Sequence, residues 1–252
     1  MAGVLFGERL FEPTLIIFDK DGTLTDFRKI WIPLLNKRVE LIHRSLELNI
    51  PLSQLMDRMY RVFGINEHRI DPYGPFPYSP PWEDEIIFAT VLYELGVPYQ
   101  KGKMAARQSL IKAEEELDRI SLAELYEGAK EVLEALKKSG IYIALATADL
   151  THIANNTLKH VGIYDLFDYV VGADMVENDK PDPEMVNRII EAFNVNRKSV
   201  AIVGDTITDM EMGRRAEVGL VVGVTEGGIA TRKDLEKDAD VVLESLREIR
   251  VV

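Results

Sequence analysis

The sequence predicts an α/β fold in which a parallel β-sheet is flanked by helices and interrupted by an inserted helical subdomain. Short aliphatic runs recur along the chain, and each is followed by polar or glycine-containing residues and then by a helical pattern. This alternation is typical of a parallel sheet. The first two runs are separated by about 120 residues, which is too long for one crossover, and most of that interval has helical periodicity.

Five of these runs are predicted as strands, and a sixth run, DVVL (240–243), is a further candidate. The five are LIIF (15–18), IYIALA (141–146), YVVG (169–172), VAIVG (200–204) and GLVVGV (219–224). Within the long interval, apolar residues recur at helical spacing in the segments 30–48, 52–63, 83–95 and 103–120. We therefore place a helical subdomain at residues 26–122 and form the α/β core from residues 1–25 and 123–252.

A proline-rich segment, DPYGPFPYSPPW (71–82), lies inside the helical interval. It holds five of the eleven prolines and is predicted to be an extended, stiff connector. An ordinary loop between helices and an aromatic surface that faces the active site are both compatible with this composition.

The composition excludes several kinds of site and partner. Without cysteine, a disulfide framework, a thiolate nucleophile and a zinc ribbon are impossible, and metal-ligand spacing is absent from the four histidines, His43, His68, His152 and His160. A net charge of −12 argues against nucleic acid or an anionic membrane as a partner. The apolar runs are too short for a membrane helix and no signal pattern opens the chain, so we expect a soluble, cytoplasmic protein.

Reactive side chains follow four consecutive strands of the predicted sheet. Ligands of open parallel sheets bind beyond the carboxyl ends of the strands, where these groups would meet. In chain order they are DKDGTLTD (19–26), Thr147 with Asp149, Lys180, and Asp205 with Asp209.

Asp19 and Asp21 leave the first strand at positions i and i+2, so both carboxylates can reach one small volume. One can then attack a substrate while the other handles a proton. Gly22 permits a sharp turn, after which backbone N–H groups can hydrogen-bond phosphate oxygens. A calcium loop is the alternative for this pattern, but an EF-hand would need Glu where Ile30 stands.

Asp205 and Asp209 add two carboxylates to the same edge of the sheet. Asp205 alone is also typical of an N-cap for a helix near residues 207–216. Carboxylates that converge with Asp19 and Asp21 would repel one another by about 4 kcal/mol per close pair at an effective dielectric constant near 20. A divalent cation resolves this conflict, and oxygen-only ligands favour Mg2+.

Lys180, Thr147 and Asp149 each have an ordinary alternative. Lys180 is either an exposed surface charge or a positive charge that keeps Asp19 ionised and neutralises phosphate oxygens. Thr147 either caps the next helix or donates its hydroxyl to a phosphate oxygen. Asp149 is interpreted mainly as a cap or a solvated side chain.

Four motifs resemble those of the haloacid dehalogenase superfamily of phosphatases, in the family's order, and phosphoglycolate-phosphatase-like members show the overall pattern best. The motifs are FDKDGTLTD (18–26), LATAD (145–149), DKPDP (179–183) and GDTITDM (204–210). The resemblance implies a Rossmann-like core, with the helical insertion as a cap that would fold over the site. It also implies a phosphoric monoester hydrolase that acts on a small phosphorylated metabolite.

The resemblance further implies a role for each motif residue. Asp19 would be the nucleophile and Asp21 the general acid and then the general base. Mg2+ would be held by the Asp19 carboxylate, the Asp21 main-chain carbonyl and Asp205, with Asp209 in support. The predicted phosphate contacts are Lys180, Thr147, Ala148, Gly22 and Thr23.

Two alternatives to a phosphatase stay open. A phosphomutase on the same scaffold would return the phosphoryl group to a sugar and would need a bisphosphate activator. A phosphate-sensing module without turnover would be expected to lack a motif residue, and all four motifs are complete in this chain.

Overall fold

A computed structural model describes residues 2–66 and 69–252, without the side chains of Pro81 and Trp82. His68 lies outside the described residues. The chain divides into two compact units. The first joins Met1–Phe27 to Ala123–Val252, and the second is Arg28–Leu122.

The first unit contains all of the strands in the described chain. They are β1 (Val4–Phe6), β2 (Arg9–Phe11), β3 (Leu15–Phe18), β4 (Tyr142–Ala146), β5 (Tyr169–Val171), β6 (Val200–Gly204), β7 (Leu220–Val224), β8 (Val241–Leu243) and β9 (Ile249–Val251). Six of them form one parallel sheet in the order β5-β4-β3-β6-β7-β8, which confirms the predicted fold class, the five predicted strands and the sixth candidate.

Helices follow or separate these strands. They are α1 (Phe27–Leu46), α2 (Leu52–Phe63), α3 (Pro81–Glu94), α4 (Tyr99–Glu116), α5 (Ala129–Lys138), α6 (Thr151–His160), α7 (Glu184–Phe193), α8 (Ile207–Arg215) and α9 (Arg232–Leu235). Within the described chain, none of the helices combines the length and the apolar content that crossing a bilayer requires.

Both faces of the parallel sheet are covered by apolar side chains. On one face, Ile16 and Phe18 of β3 belong to a core cluster with Leu133 of α5. On the other face, Ile17 of β3 belongs to a cluster with Ile189 of α7. The continuous hydrophobic runs therefore reflect burial on two sides, as expected for a parallel sheet.

A second, three-stranded antiparallel sheet with the order β2-β1-β9 was missed by the sequence prediction. Val4 of β1 pairs with Phe11 on one side and with Val251 on the other. Each of these strands has only three residues, which is too short for alternation to be recognised.

The second unit is built from the helices α1 to α4 around its own apolar cluster, which includes Phe63, Phe88 and Leu92. The proline-rich segment 71–82 is not the extended connector that was predicted. Its residues 72–78 form consecutive turns, in which the Gly74 N–H donates to the Asp71 carbonyl and the Tyr78 N–H donates to the Pro75 carbonyl, and its last two residues open α3.

We predict that Leu133→Ala lowers the free energy of unfolding by about 2–5 kcal/mol, because this fully buried side chain would leave a cavity. Leu10→Ala is the matched control, since Leu10 on β2 is 57% exposed. This control should change stability by less than about 0.5 kcal/mol. Urea unfolding followed by circular dichroism measures both variants, and equal losses would contradict the packing of α5 against the sheet.

Candidate active site

Asp19, Asp205 and Asp209 come together at the carboxyl end of two neighbouring strands. Phe18 at the end of β3 pairs with Val203 near the end of β6, so the residues that follow both strands emerge side by side. One carboxylate oxygen from each aspartate lies within 4.8 Å of the others. Three of the predicted acidic residues therefore share one small volume.

Lys180 joins this cluster from the segment between β5 and α7. Its ammonium nitrogen lies 2.5 Å from Asp19 Oδ1 and 2.8 Å from Asp209 Oδ1. Burial alone would lower the pKa of Lys180, but the two carboxylates raise it above its usual value. Lys180 is therefore a buried cation within the site and not the exposed surface charge of the alternative interpretation.

The negative charge of the cluster exceeds what Lys180 balances. Burial raises the pKa of Asp19 to about 7, although Lys180 acts in the opposite direction. Burial also raises the pKa of Asp205 well above its usual value, and Asp19 and Asp209 add to that increase. The ionised forms of Asp19 and Asp205 are thus disfavoured, and a further cation bound beside them would stabilise these forms.

Asp205 presents an oxygen that suits a metal ion. Its Oδ1 accepts a hydrogen bond of 2.9 Å from the Thr23 hydroxyl, and the residue is only 1% exposed. Among the described residues, no donor contacts its buried Oδ2. An unsatisfied buried carboxylate oxygen beside Asp19 and Asp209 fits a divalent cation, and a donor set made only of oxygen fits Mg2+.

The capping interpretation of Asp205 was wrong. The N-cap of α8 is Thr206, whose hydroxyl accepts from the Asp209 N–H, while the Asp209 carboxylate accepts from the Thr206 N–H at 3.1 Å. This reciprocal capping box fixes Asp209 and leaves Asp205 for the site.

The Asp21 carboxylate contacts partners other than the three clustered carboxylates. Both of its carboxylate oxygens lie 2.8 Å from the Lys20 ammonium, and the Thr25 hydroxyl donates to Oδ1 at 2.7 Å. Sequence analysis did not single out Lys20, although a lysine between two candidate aspartates at the end of a buried strand was the available signal. The same ammonium lies 2.8 Å from Asp149.

Asp149 was also misinterpreted as a cap or a solvated side chain. Leu150 occupies the N-cap position of α6 and makes no side-chain cap. The Asp149 carboxylate instead forms a largely buried ion pair with Lys20. The pairing joins residues far apart in the chain, which explains why local sequence signals did not reveal it.

The residues predicted to contact phosphate have different surroundings. Thr147 is buried, and its hydroxyl accepts a hydrogen bond of 3.2 Å from the Asp149 N–H, whereas the neighbouring Ala148 is exposed. Thr147 is not the cap of the next helix, since that position belongs to Leu150. Contacts of Thr147 and Ala148 with a phosphate stay predictions.

Gly22 and Thr23 form the tight loop after β3. The Gly22 N–H donates a hydrogen bond of 2.7 Å to the Thr25 carbonyl within the loop. The Thr23 hydroxyl donates to the Asp205 carboxylate. Gly22 has φ of +95°, and a Cβ there would overlap the Asp205 carboxylate. A glycine at position 22 is therefore required both for the positive φ of the turn and for the close approach of the Asp205 carboxylate. Phosphate binding by this loop stays a prediction.

Gly227, in the loop after β7, is a further site position that sequence analysis missed. A Cβ at this residue would collide with the Gly22 carbonyl and lie against the Asp205 carboxylate. The glycine pair that follows the strand run 219–224 was the available signal.

These features define an α/β protein with an acidic site at the carboxyl end of its parallel sheet. The haloacid dehalogenase-like hydrolase family matches residues 13–217, and the chain belongs to this family. The resemblance inferred from the four motifs is thereby confirmed.

Curated relatives carry phosphatase names. The chain is 32% identical to the probable phosphatase IndB of Dickeya dadantii over 125 residues, which cover 50% of this chain and 54% of that protein. It is 29% identical to the pyrophosphatase PpaX of Bacillus velezensis over 204 residues, 81% of this chain and 79% of the relative. It is 31% identical to a phosphoglycolate phosphatase of Thiobacillus denitrificans over 123 residues, 49% and 54% of the two chains.

The alignments with the Dickeya and Thiobacillus proteins thus span about half the length of those relatives. Among solved structures, a predicted phosphoglycolate phosphatase from Haemophilus somnus superposes with a TM-score of 0.69 at 20% identity. The match covers 93% of this chain and 95% of that chain, which shows a shared fold.

We predict that Mg2+ stabilises the protein through the Asp205 cluster. At a concentration of about 100 times Kd, the ion should raise Tm by roughly 5–10 °C. Asp205→Asn should nearly abolish this shift and should raise the Tm of the metal-free protein, because the raised pKa of Asp205 means that the ionised group destabilises the fold at neutral pH.

Differential scanning fluorimetry with and without Mg2+ measures both effects. Asp165→Asn, at an exposed aspartate of the same unit, is the matched control and should keep the wild-type shift. An undiminished Mg2+ shift in Asp205→Asn would remove Asp205 from the metal site.

Proposed function

We propose that the protein is a Mg2+-dependent phosphatase that hydrolyses a small phosphomonoester through an aspartyl-phosphate on Asp19. The observation that carries this proposal is the convergence of Asp19, Asp205 and Asp209 with the Lys180 ammonium in one buried volume. Phosphoryl transfer depends mainly on positioning and on charge neutralisation, and this arrangement supports both.

In the first half-reaction, an Asp19 carboxylate oxygen attacks phosphorus while the bond from phosphorus to the leaving-group oxygen breaks. Asp21 donates a proton to that departing oxygen, so an alcohol is released. In the second half-reaction, Asp21 takes a proton from water, and the water oxygen attacks phosphorus. The aspartyl-phosphate bond then breaks, which regenerates the Asp19 carboxylate and releases inorganic phosphate.

Positive charge is needed at both stages. Lys180, at 2.5 Å from Asp19, would hold the nucleophile ionised and neutralise charge on the transferring group. Asp19, Asp205 and Asp209, with the Asp21 main-chain carbonyl, would hold Mg2+, which when bound supplies further charge neutralisation for the phosphoryl oxygens.

The proposed substrates are small phosphorylated metabolites of the cytosol. The relatives' names point to phosphoglycolate and pyrophosphate as the first compounds to test. The helical unit Arg28–Leu122 is proposed as the cap that excludes water and recognises the leaving group, a role for which its insertion between the first two strands of the sheet is the support.

We predict that the wild type hydrolyses p-nitrophenyl phosphate in the presence of Mg2+ and that EDTA abolishes turnover until excess Mg2+ is restored. Asp19→Asn should lower kcat/KM by at least about 10³-fold, because an amide cannot form the covalent intermediate. Release of p-nitrophenolate measures the rate, with Asp165→Asn as the control. Full activity of Asp19→Asn would remove this residue from the nucleophile role.

The phosphomutase alternative makes a different prediction for sugar phosphates. A mutase would isomerise a hexose phosphate when a hexose bisphosphate is added, whereas the proposed phosphatase releases inorganic phosphate without an activator. Phosphate release and isomer formation, measured in the same reaction with glucose phosphates, distinguish the two. A folded protein that does not hydrolyse p-nitrophenyl phosphate in the presence of Mg2+ would support the non-catalytic alternative.

A further inference from the structure

Lys20 is a buried, charged side chain that has no role in the proposed reaction steps. It lies between Asp19 and Asp21 in the sequence and is only 1% exposed. Its ammonium nitrogen lies 2.8 Å from each carboxylate oxygen of Asp21 and 2.8 Å from the Asp149 carboxylate. The lysine therefore bridges two acidic side chains that follow neighbouring strands.

Packing alone does not explain a lysine at this position. Removing an ammonium group from water costs several kcal/mol, and an apolar side chain of similar volume is often equally good or better for stability. What the ion pair adds is orientation, since both Asp21 oxygens face one nitrogen and the Asp149 contact keeps that nitrogen in place.

Lys20 is also too deeply buried to contact a substrate. The Asp21 side chain, in contrast, is 13% exposed, so it stays partly accessible although both of its oxygens contact the Lys20 ammonium. The Thr25 hydroxyl, at 2.7 Å from Asp21 Oδ1, adds a second fixed contact. Any effect of Lys20 on a reaction is therefore indirect, and its contacts with both Asp21 oxygens make Asp21 the side chain through which it would act.

We propose that Lys20, anchored by Asp149, is a positioning residue that orients the Asp21 carboxylate for proton transfer to the leaving-group oxygen. This inference rests on the proposed function, in which Asp21 is the general acid and base. Misplacing a proton donor affects only those substrates whose leaving group needs the proton. An alkyl oxygen needs it most, a phenolate less, and p-nitrophenolate least, since it departs as a stable anion.

The test compares Lys20→Met with the wild type on p-nitrophenyl phosphate, phenyl phosphate and 2-phosphoglycolate. The parameter is kcat/KM, which reports on steps up to the formation of the aspartyl-phosphate. We expect a loss of about 10²–10⁴-fold for 2-phosphoglycolate, an intermediate loss for phenyl phosphate and less than about tenfold for p-nitrophenyl phosphate. Lys130→Met, at an exposed lysine of the same unit, is the control and should leave all three values unchanged.

Asp149→Asn provides a second variant that keeps Lys20 and removes the charge of its anchor, and it remains informative if Lys20→Met does not fold. We expect the same order of losses at smaller magnitude. Equal losses on all substrates, or no loss on any, in the folded variants would overturn the inference, because a merely structural lysine does not distinguish leaving groups. Failure of the wild type to hydrolyse any of the three compounds would instead overturn the proposed function.

Discussion

The repulsion among three buried carboxylates is the constraint on which the site depends. Asp19, Asp205 and Asp209 bring oxygens within 4.8 Å of one another, where each close pair of ionised groups would cost about 4 kcal/mol at an effective dielectric constant near 20. Lys180 supplies one positive charge between two of them. Burial raises the pKa of both Asp19 and Asp205, and the neighbouring carboxylates add to these increases, so a further cation would stabilise the ionised cluster.

Local structure keeps this unfavourable cluster from relaxing. Asp209 has both oxygens engaged, one by Lys180 and one by the capping box of α8, and Asp205 is held by the Thr23 hydroxyl. Gly22, in the loop after β3, removes a Cβ that would otherwise push the Asp205 carboxylate away. Hydrogen bonds, together with the lack of a Cβ at Gly22, thus keep the carboxylates close together although their charges repel. Such a conflict is expected at a functional site.

The parallel sheet was predictable because its strands are buried on both faces and appear as unbroken aliphatic runs. The three-residue strands β1, β2 and β9 carry too little pattern to be recognised, and the turns of segment 71–82 depend on contacts that proline content does not specify. Within the site, the N-cap alternative for Asp205 was wrong because an N-cap assignment can be displaced by one residue, here to Thr206. The Lys20–Asp149 pair was missed because it joins distant segments, and such pairings require the fold to be known.

Asp19 and Asp21 are only two residues apart, but each carboxylate contacts a different lysine. The Asp19 carboxylate shares its surroundings with Asp209 and Lys180, in the volume that suits a cation. The Asp21 carboxylate is directed toward Lys20 and Thr25 and does not belong to that cluster. Identical side chains two residues apart in the loop after β3 therefore have different surroundings, and in the proposed reaction those surroundings make one a nucleophile and the other a proton donor.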